Sequence, residues 1–340
     1  MSNLLEPWVL LPVAASMVST ALVVRAAYTS VRVARRFDLR SATEGQLALE
    51  RQVELASTFV RVAFAVDVAA LALFILSADK LSHAIRGAMC GYGVFESNEH
   101  GFRALAAGVA ATIALGWLHQ LHAFDARSRG LDHVRALSLL TLLAAPLVVA
   151  RTALVVLFLT RLDLTVVASC CSVTLDADAA RGGSFAHGPR QAAVVAASLA
   201  AALAAGVASW TARRPTRART ILAGVVAFAS LPPALAAIVL EVAPHVFETP
   251  HHVCPFCLFR PDAWGLGYPL FGALLAAIVV AGGAAGAAVL ARGRASEEAF
   301  RAFAPARLRA SAIAWAAALA LGLVPVVRYA IVTGGASLFR

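Results

Sequence analysis

Long apolar stretches alternate with short polar connectors along the whole chain. Eight of these stretches hold the roughly 17 to 25 mostly apolar residues that a helix needs to cross a hydrocarbon core. They lie near residues 7–25, 54–77, 103–124, 137–159, 192–210, 221–243, 269–291 and 310–333. The pattern predicts an all-α polytopic membrane protein with about eight transmembrane helices, and residues 1–340 are expected to form a single integral membrane domain.

Lysine and arginine are distributed unevenly between alternate connectors. One set of connectors holds 18 of these residues and the other set holds 8. The richer set comprises 25–53, 125–136, 211–220 and 292–309, and the poorer set comprises 78–103, 160–191, 245–268 and the two chain ends. Because basic connectors stay in the cytoplasm, both termini and the three loops of the poorer set are predicted to be extracytoplasmic, as in a bacterial inner membrane protein. The first stretch is followed rather than preceded by arginines, so it is expected to remain as a helix and not to act as a cleaved signal.

Composition narrows the function classes. Charged residues make up 14% of the chain, against roughly a quarter in a soluble domain. The net charge of +10 comes from the basic connectors, so membrane lipid is the expected partner and nucleic acid is not. No glycine-rich phosphate-binding motif is present, which disfavours an ATP-driven pump. The first connector, through Arg36, Glu44, Glu50 and Arg51, is expected to form an interfacial helix.

All five cysteines fall in the loops predicted to be extracytoplasmic. They are Cys90, Cys170, Cys171, Cys254 and Cys257. A disulfide between neighbours requires a strained peptide geometry, so Cys170 and Cys171 are each expected to pair elsewhere. An odd number of thiols fits a relay that exchanges disulfides, and it fits a metal cage of three or four thiolates equally well. We predict that Cys254 or Cys257 lies within bridging distance of another outer-loop thiol.

The motif Cys254-Pro255-Phe256-Cys257 has three interpretations. Two thiols at this spacing can close a small disulfide ring and exchange it, and a protonated His251 or His252 would favour the reactive thiolate. The same cysteines, with these histidines and Cys90, could instead bind copper or zinc. A third alternative is a non-catalytic membrane scaffold in which disulfides staple the loops.

Several ionisable residues lie inside the predicted spans, where each charge costs at least a few kcal/mol. Asp67 and Arg151 fall near mid-depth, and Glu241 and Arg328 fall near the outer ends of their spans. Two ion pairs are expected among them. Such pairs serve either as structural contacts or as part of a quinone or ion pathway.

An extracytoplasmic Cys-x-x-Cys near a helix end, here Cys254 and Cys257, together with further outer-loop cysteines, resembles the vitamin K epoxide reductase and bacterial disulfide-generating families. The resemblance covers only these short stretches. It implies a membrane thiol oxidoreductase that passes electrons from an extracytoplasmic thiol protein to quinone. In those families the active pair enters a helix of a four-helix core directly, whereas here Arg260, Pro261 and Gly265 precede the seventh span.

The leading hypothesis from the sequence is therefore thiol-disulfide exchange at the extracytoplasmic face. Cys254 is expected to be the more exposed, attacking thiol and Cys257 the resolving one, with Cys90 or the Cys170/Cys171 pair as shuttle. If the thiols bind copper or zinc instead, the expected partner is a metallochaperone, and the protein would act in metal transport or in metal-site assembly.

Overall fold

The computed structural model describes residues 6–37, 43–128, 133–168 and 189–339, the side chain of Pro189 excepted. Within these ranges the helices are α1 (Pro7–Arg36), α2 (Glu44–Ser82), α3 (Gly91–Glu96), α4 (Gly101–Asp125), α5 (Val134–Thr160), α6 (Pro189–Arg213), α7 (Arg217–Phe247), α8 (Gly267–Leu290) and α9 (Arg294–Val332). All of them except the short α3 are long and apolar enough to cross a membrane. The prediction of an all-α integral membrane protein with eight candidate spans is confirmed.

Several helices continue well past the apolar stretches that predicted them. The second and last spans are both 39 residues long, because α2 begins at Glu44 and α9 at Arg294. The side chain of Thr43 caps α2 by accepting a hydrogen bond from the amide of Gln46. The expected interfacial helix is therefore wrong for the described residues: Arg36 ends α1, while Glu44, Glu50 and Arg51 belong to α2. Arginine and glutamate are good helix formers, so the chain stays helical where its hydropathy falls.

The spans pack as two groups of four. Helices α1, α2, α4 and α5 contact one another, α6 to α9 contact one another, and α4 packs against α8 where the groups meet. Glycines allow this close approach: a Cβ atom at Gly283 would lie 2.4 Å from Cβ of Gln120, and one at Gly282 would lie 2.3 Å from the indole nitrogen of Trp117. The small residues of α8 thus serve helix packing, as is usual in membranes.

One ion pair is buried between the first four spans. The guanidinium of Arg151 donates to the carboxylate of Asp67 at 3.0 Å, and the two side chains are 1% and 0% exposed. The hydroxyls of Ser19 and Thr112 also donate to this carboxylate, at 3.1 and 2.7 Å. Nε and Nη2 of Arg151 have no hydrogen-bond partner in the described part of the chain. Asp67 and Arg151 thus form one of the two expected pairs.

The other two intramembrane charges pair with different partners. Glu241 accepts from Arg190 at 2.5 Å, and Arg328 donates to Glu248 at 3.0 Å. Glu241 lies on a π-helical turn, Ile238–Val242, which ends two residues before Pro244. A proline lacks the amide that would bond four residues back, so the helix is irregular here. The sequence pattern did not predict this π-helical turn.

Candidate thiol centre

Cys90 is positioned by a tight connection between α2 and α3. It occupies the position just before the first residue of α3 and is 1% exposed. The connection turns at Gly87, where φ is +88° and a Cβ atom would lie 2.3 Å from the carbonyl oxygen of Ala168. A glycine is therefore required there. The amide of Ala168 also donates to the carbonyl of Arg86 at 3.0 Å, which ties the segment after α5 to this turn.

The Cys254–Cys257 motif forms a short 3₁₀ turn, Pro255–Phe259, with Cys254 at the position that precedes it. Proline suits the first position of such a turn because an N–H group at that position would have no partner, and proline has none. A second 3₁₀ turn, Pro261–Ala263, follows before α8 begins at Gly267. The motif thus does not enter the seventh span directly.

An aromatic cluster holds the motif against the first half of the protein. The ring of Phe256 lies 5.9, 5.6 and 5.9 Å from those of Tyr92, Phe95 and Phe102. These residues belong to α3 and the start of α4, and edge-to-face ring contacts of this kind add to the burial of apolar surface. The two cysteines that flank Phe256 are thereby brought to Cys90.

The three thiols of Cys90, Cys254 and Cys257 form one buried cluster. Their sulfur atoms all lie within 4.8 Å of one another, and those of Cys90 and Cys254 are 3.6 Å apart. The residues are 1%, 1% and 2% exposed. This confirms the geometric prediction that the motif approaches the thiol of another loop. We call this cluster the thiol centre.

Burial corrects the exposure expected for the two motif cysteines. Cys254 is not the more exposed thiol, because it is as deeply buried as Cys257. Tyr92, Phe247 and Phe256 pack around the sulfurs. Hydrogen bonds with the thiols of Cys254 and Cys90, together with burial, raise the pKa of Cys257 above its usual range. A thiol that attacks external disulfides needs access to them, and Cys254 at 1% exposure does not have it.

The two neighbouring histidines do not join the sulfurs. His251 is exposed, and neither His251 nor His252 contributes an atom to the cluster of ligand atoms. The ring of His252 lies 4.0 Å from that of Phe247, and burial lowers its pKa. This shift disfavours the charged imidazolium of His252, which would be needed to favour a thiolate.

Arg260 connects the two chain segments that carry the cysteines. Its guanidinium donates to the carbonyl of Met89, directly before Cys90, and its amide donates to the carbonyl of Cys257 at 3.1 Å. The carboxylate of Asp79, buried in the last turn of α2, interacts electrostatically with both Arg260 and Cys90. Sequence reasoning did not select Asp79 or Arg260 as part of the site, and Phe256 inside the motif was the one available signal for the aromatic cluster.

Two of the predicted site residues, Cys170 and Cys171, lie outside the described residues. No protein-family model, curated protein or solved structure matches this chain. The geometry of the thiol centre therefore carries the functional inference.

Proposed function

We propose that this chain is a membrane protein that binds a soft metal ion through the thiolates of Cys90, Cys254 and Cys257, in metal transport or in metal-site assembly. The mutual distance of the three sulfurs carries this proposal. Sulfur ligands about 2.3 Å from a metal lie about 3.8 Å apart in a tetrahedral site and about 4 Å apart in a trigonal one. The 3.6 Å between Cys90 and Cys254, with all three sulfurs within 4.8 Å of one another, is close to both values.

The burial of the centre also favours metal binding over exchange with an external protein. Thiolate and aromatic surroundings suit a soft ion, which neutralises sulfur charge in a site where bare thiolates are disfavoured. Because the pKa of Cys257 is raised, its thiol is protonated near neutral pH until a metal displaces the proton. Metal affinity should therefore rise with pH.

A second candidate function is thiol-disulfide exchange inside the centre, as the resemblance of the motif implies. The contact between Cys90 and Cys254 favours it, since 3.6 Å is an approach distance for attack. The Cys90 thiolate would attack Sγ of Cys254 in a Cys254–Cys257 disulfide, the bond between those two would break, and Cys257 would leave as thiolate. Quinone would be reduced as it regenerates the disulfide of the centre. That disulfide would then oxidise two thiols of an extracytoplasmic protein to a disulfide.

Metal content separates the two functions. The full chain, purified in detergent under reducing conditions and loaded with Cu(I) or Zn(II), is expected to retain about one ion. Changing Cys90, Cys254 or Cys257 to serine should abolish that stoichiometric binding, because three donors must act together. His251→Ala is the matched control and should bind metal normally, since that side chain is exposed and outside the cluster.

The same variants test the alternatives. A wild-type protein without metal, combined with a mixed disulfide trapped in Cys257→Ser, would support exchange and contradict metal binding. If the wild-type protein binds no metal, and Cys257→Ser lowers the melting temperature without trapping a partner, the centre forms structural disulfides in a non-catalytic membrane scaffold.

We also propose that the thiol centre faces away from the cytoplasm, in a bacterial inner membrane. The 18 to 8 bias of basic residues supports this orientation. Reporter fusions after residues 45, 130, 216 and 300 are expected to report the cytoplasm, and fusions after 95, 180 and 258 the opposite side. An inverted pattern would place the thiols in the cytoplasm.

A further inference from the structure

We infer that the thiol centre is a closed, three-coordinate site that selects Cu(I) over Zn(II). This inference rests on the proposed metal binding and specifies the ion. It follows from the number of donors, from their exclusion of water and from the charges around them.

Among the His, Cys, Asp and Glu side chains of the described residues, three sulfurs form the donor set. No imidazole or carboxylate of those residues lies within the cluster, although Asp79 and His252 are near it. Structural zinc sites almost always have four protein ligands. Soft thiolate ligands without a fourth donor suit a monovalent ion of low coordination number.

The shell around the sulfurs opposes a water ligand. A zinc ion with three protein ligands normally holds water or substrate in an open fourth position. Here the three cysteines are at most 2% exposed, and Tyr92, Phe247 and Phe256 pack against them. A fourth ligand from solvent would require these rings to move.

Cationic side chains offset the charge of such a site. Three thiolates and one Cu(I) carry a net charge of −2, which is costly to bury without partners. The guanidinium of Arg260 donates to the carbonyl of Met89 beside Cys90, pairs with Asp262 at 3.1 Å, and shares electrostatic contact with Asp79 alongside Lys80. Arg260 is therefore assigned as a positioning residue that also compensates charge.

A competition experiment on the full chain in detergent tests the inference. The reduced protein is titrated with Cu(I) against a chromophoric Cu(I) chelator, and separately with Zn(II) against a zinc indicator. We expect one Cu(I) per chain, displacement of any bound Zn(II) by Cu(I), and a sulfur-only, three-coordinate copper signature in X-ray absorption. Arg260→Gln should weaken Cu(I) binding, and Arg260→Lys should restore most of it.

The control is the double variant Cys170→Ser/Cys171→Ser, which removes the two thiols outside the described residues. It is expected to bind Cu(I) as the wild type does. Loss of Cu(I) in this variant, or a four-coordinate Zn(II) that Cu(I) does not displace, would overturn the inference while leaving soft-metal binding intact. Failure to bind either ion would overturn both proposals.

Discussion

Replacing Arg151 with methionine is expected to lower the free energy of unfolding by about 3–5 kcal/mol, because it leaves Asp67 without its partner in a fully buried position. The remaining donors, Ser19 and Thr112, cannot supply the missing positive charge. The measurement is unfolding of the purified protein in mixed detergent micelles.

The matched control is the double variant Asp67→Asn/Arg151→Met, which removes both charges. It is expected to recover a large part of the lost stability. An intact buried ion pair adds little net stability, whereas a buried charge without its partner is strongly destabilising. Equal destabilisation in the single and double variants would show that packing of the arginine, and not its charge, is what matters at this position.

Replacing Gly283 with alanine is expected to destabilise the protein by about 1–3 kcal/mol. The new Cβ atom would lie 2.4 Å from Cβ of Gln120, and neither atom can move without shifting the backbone of α8 or α4. The same unfolding assay measures the effect.

Gly206→Ala is the control for this substitution. Gly206 also lies in a membrane-spanning helix, α6, but a Cβ atom there would meet nothing within 4 Å. Its replacement is expected to be neutral or to stabilise the helix by up to about 1 kcal/mol. Similar losses at both glycines would contradict the close packing of α4 and α8.

Hydropathy predicted the spans well because lipid requires long apolar helices. It did not predict where the helices end, since residues such as Glu44 and Arg294 continue a helix outside the apolar region at little cost. Ion partners at the helix ends were also not predictable. Long side chains such as Arg190 and Arg328 pair there with Glu241 and Glu248, and neither pairing follows from a hydropathy pattern.

The thiol centre was predictable in part. Shared location in the loops of one face was enough to predict that Cys90 and the Cys254/Cys257 motif meet. The burial of the sulfurs was not, because it depends on Phe256 packing against rings more than 150 positions earlier in the chain. His251 and His252 precede the motif in sequence but do not join the sulfurs. The 3₁₀ turn that begins at Pro255 buries Cys257 without them.

The packing of the spans as two groups of four gives the thiol centre a mechanical consequence. Cys90 belongs to the first group, whereas Cys254 and Cys257 belong to the second, so an ion held by all three sulfurs would crosslink the two groups. A movement that carries Cys90 away from Cys254 and Cys257 would weaken binding of the ion. Because such coupling is reciprocal, binding of the ion would stabilise the arrangement in which the three sulfurs lie together, by the same free energy.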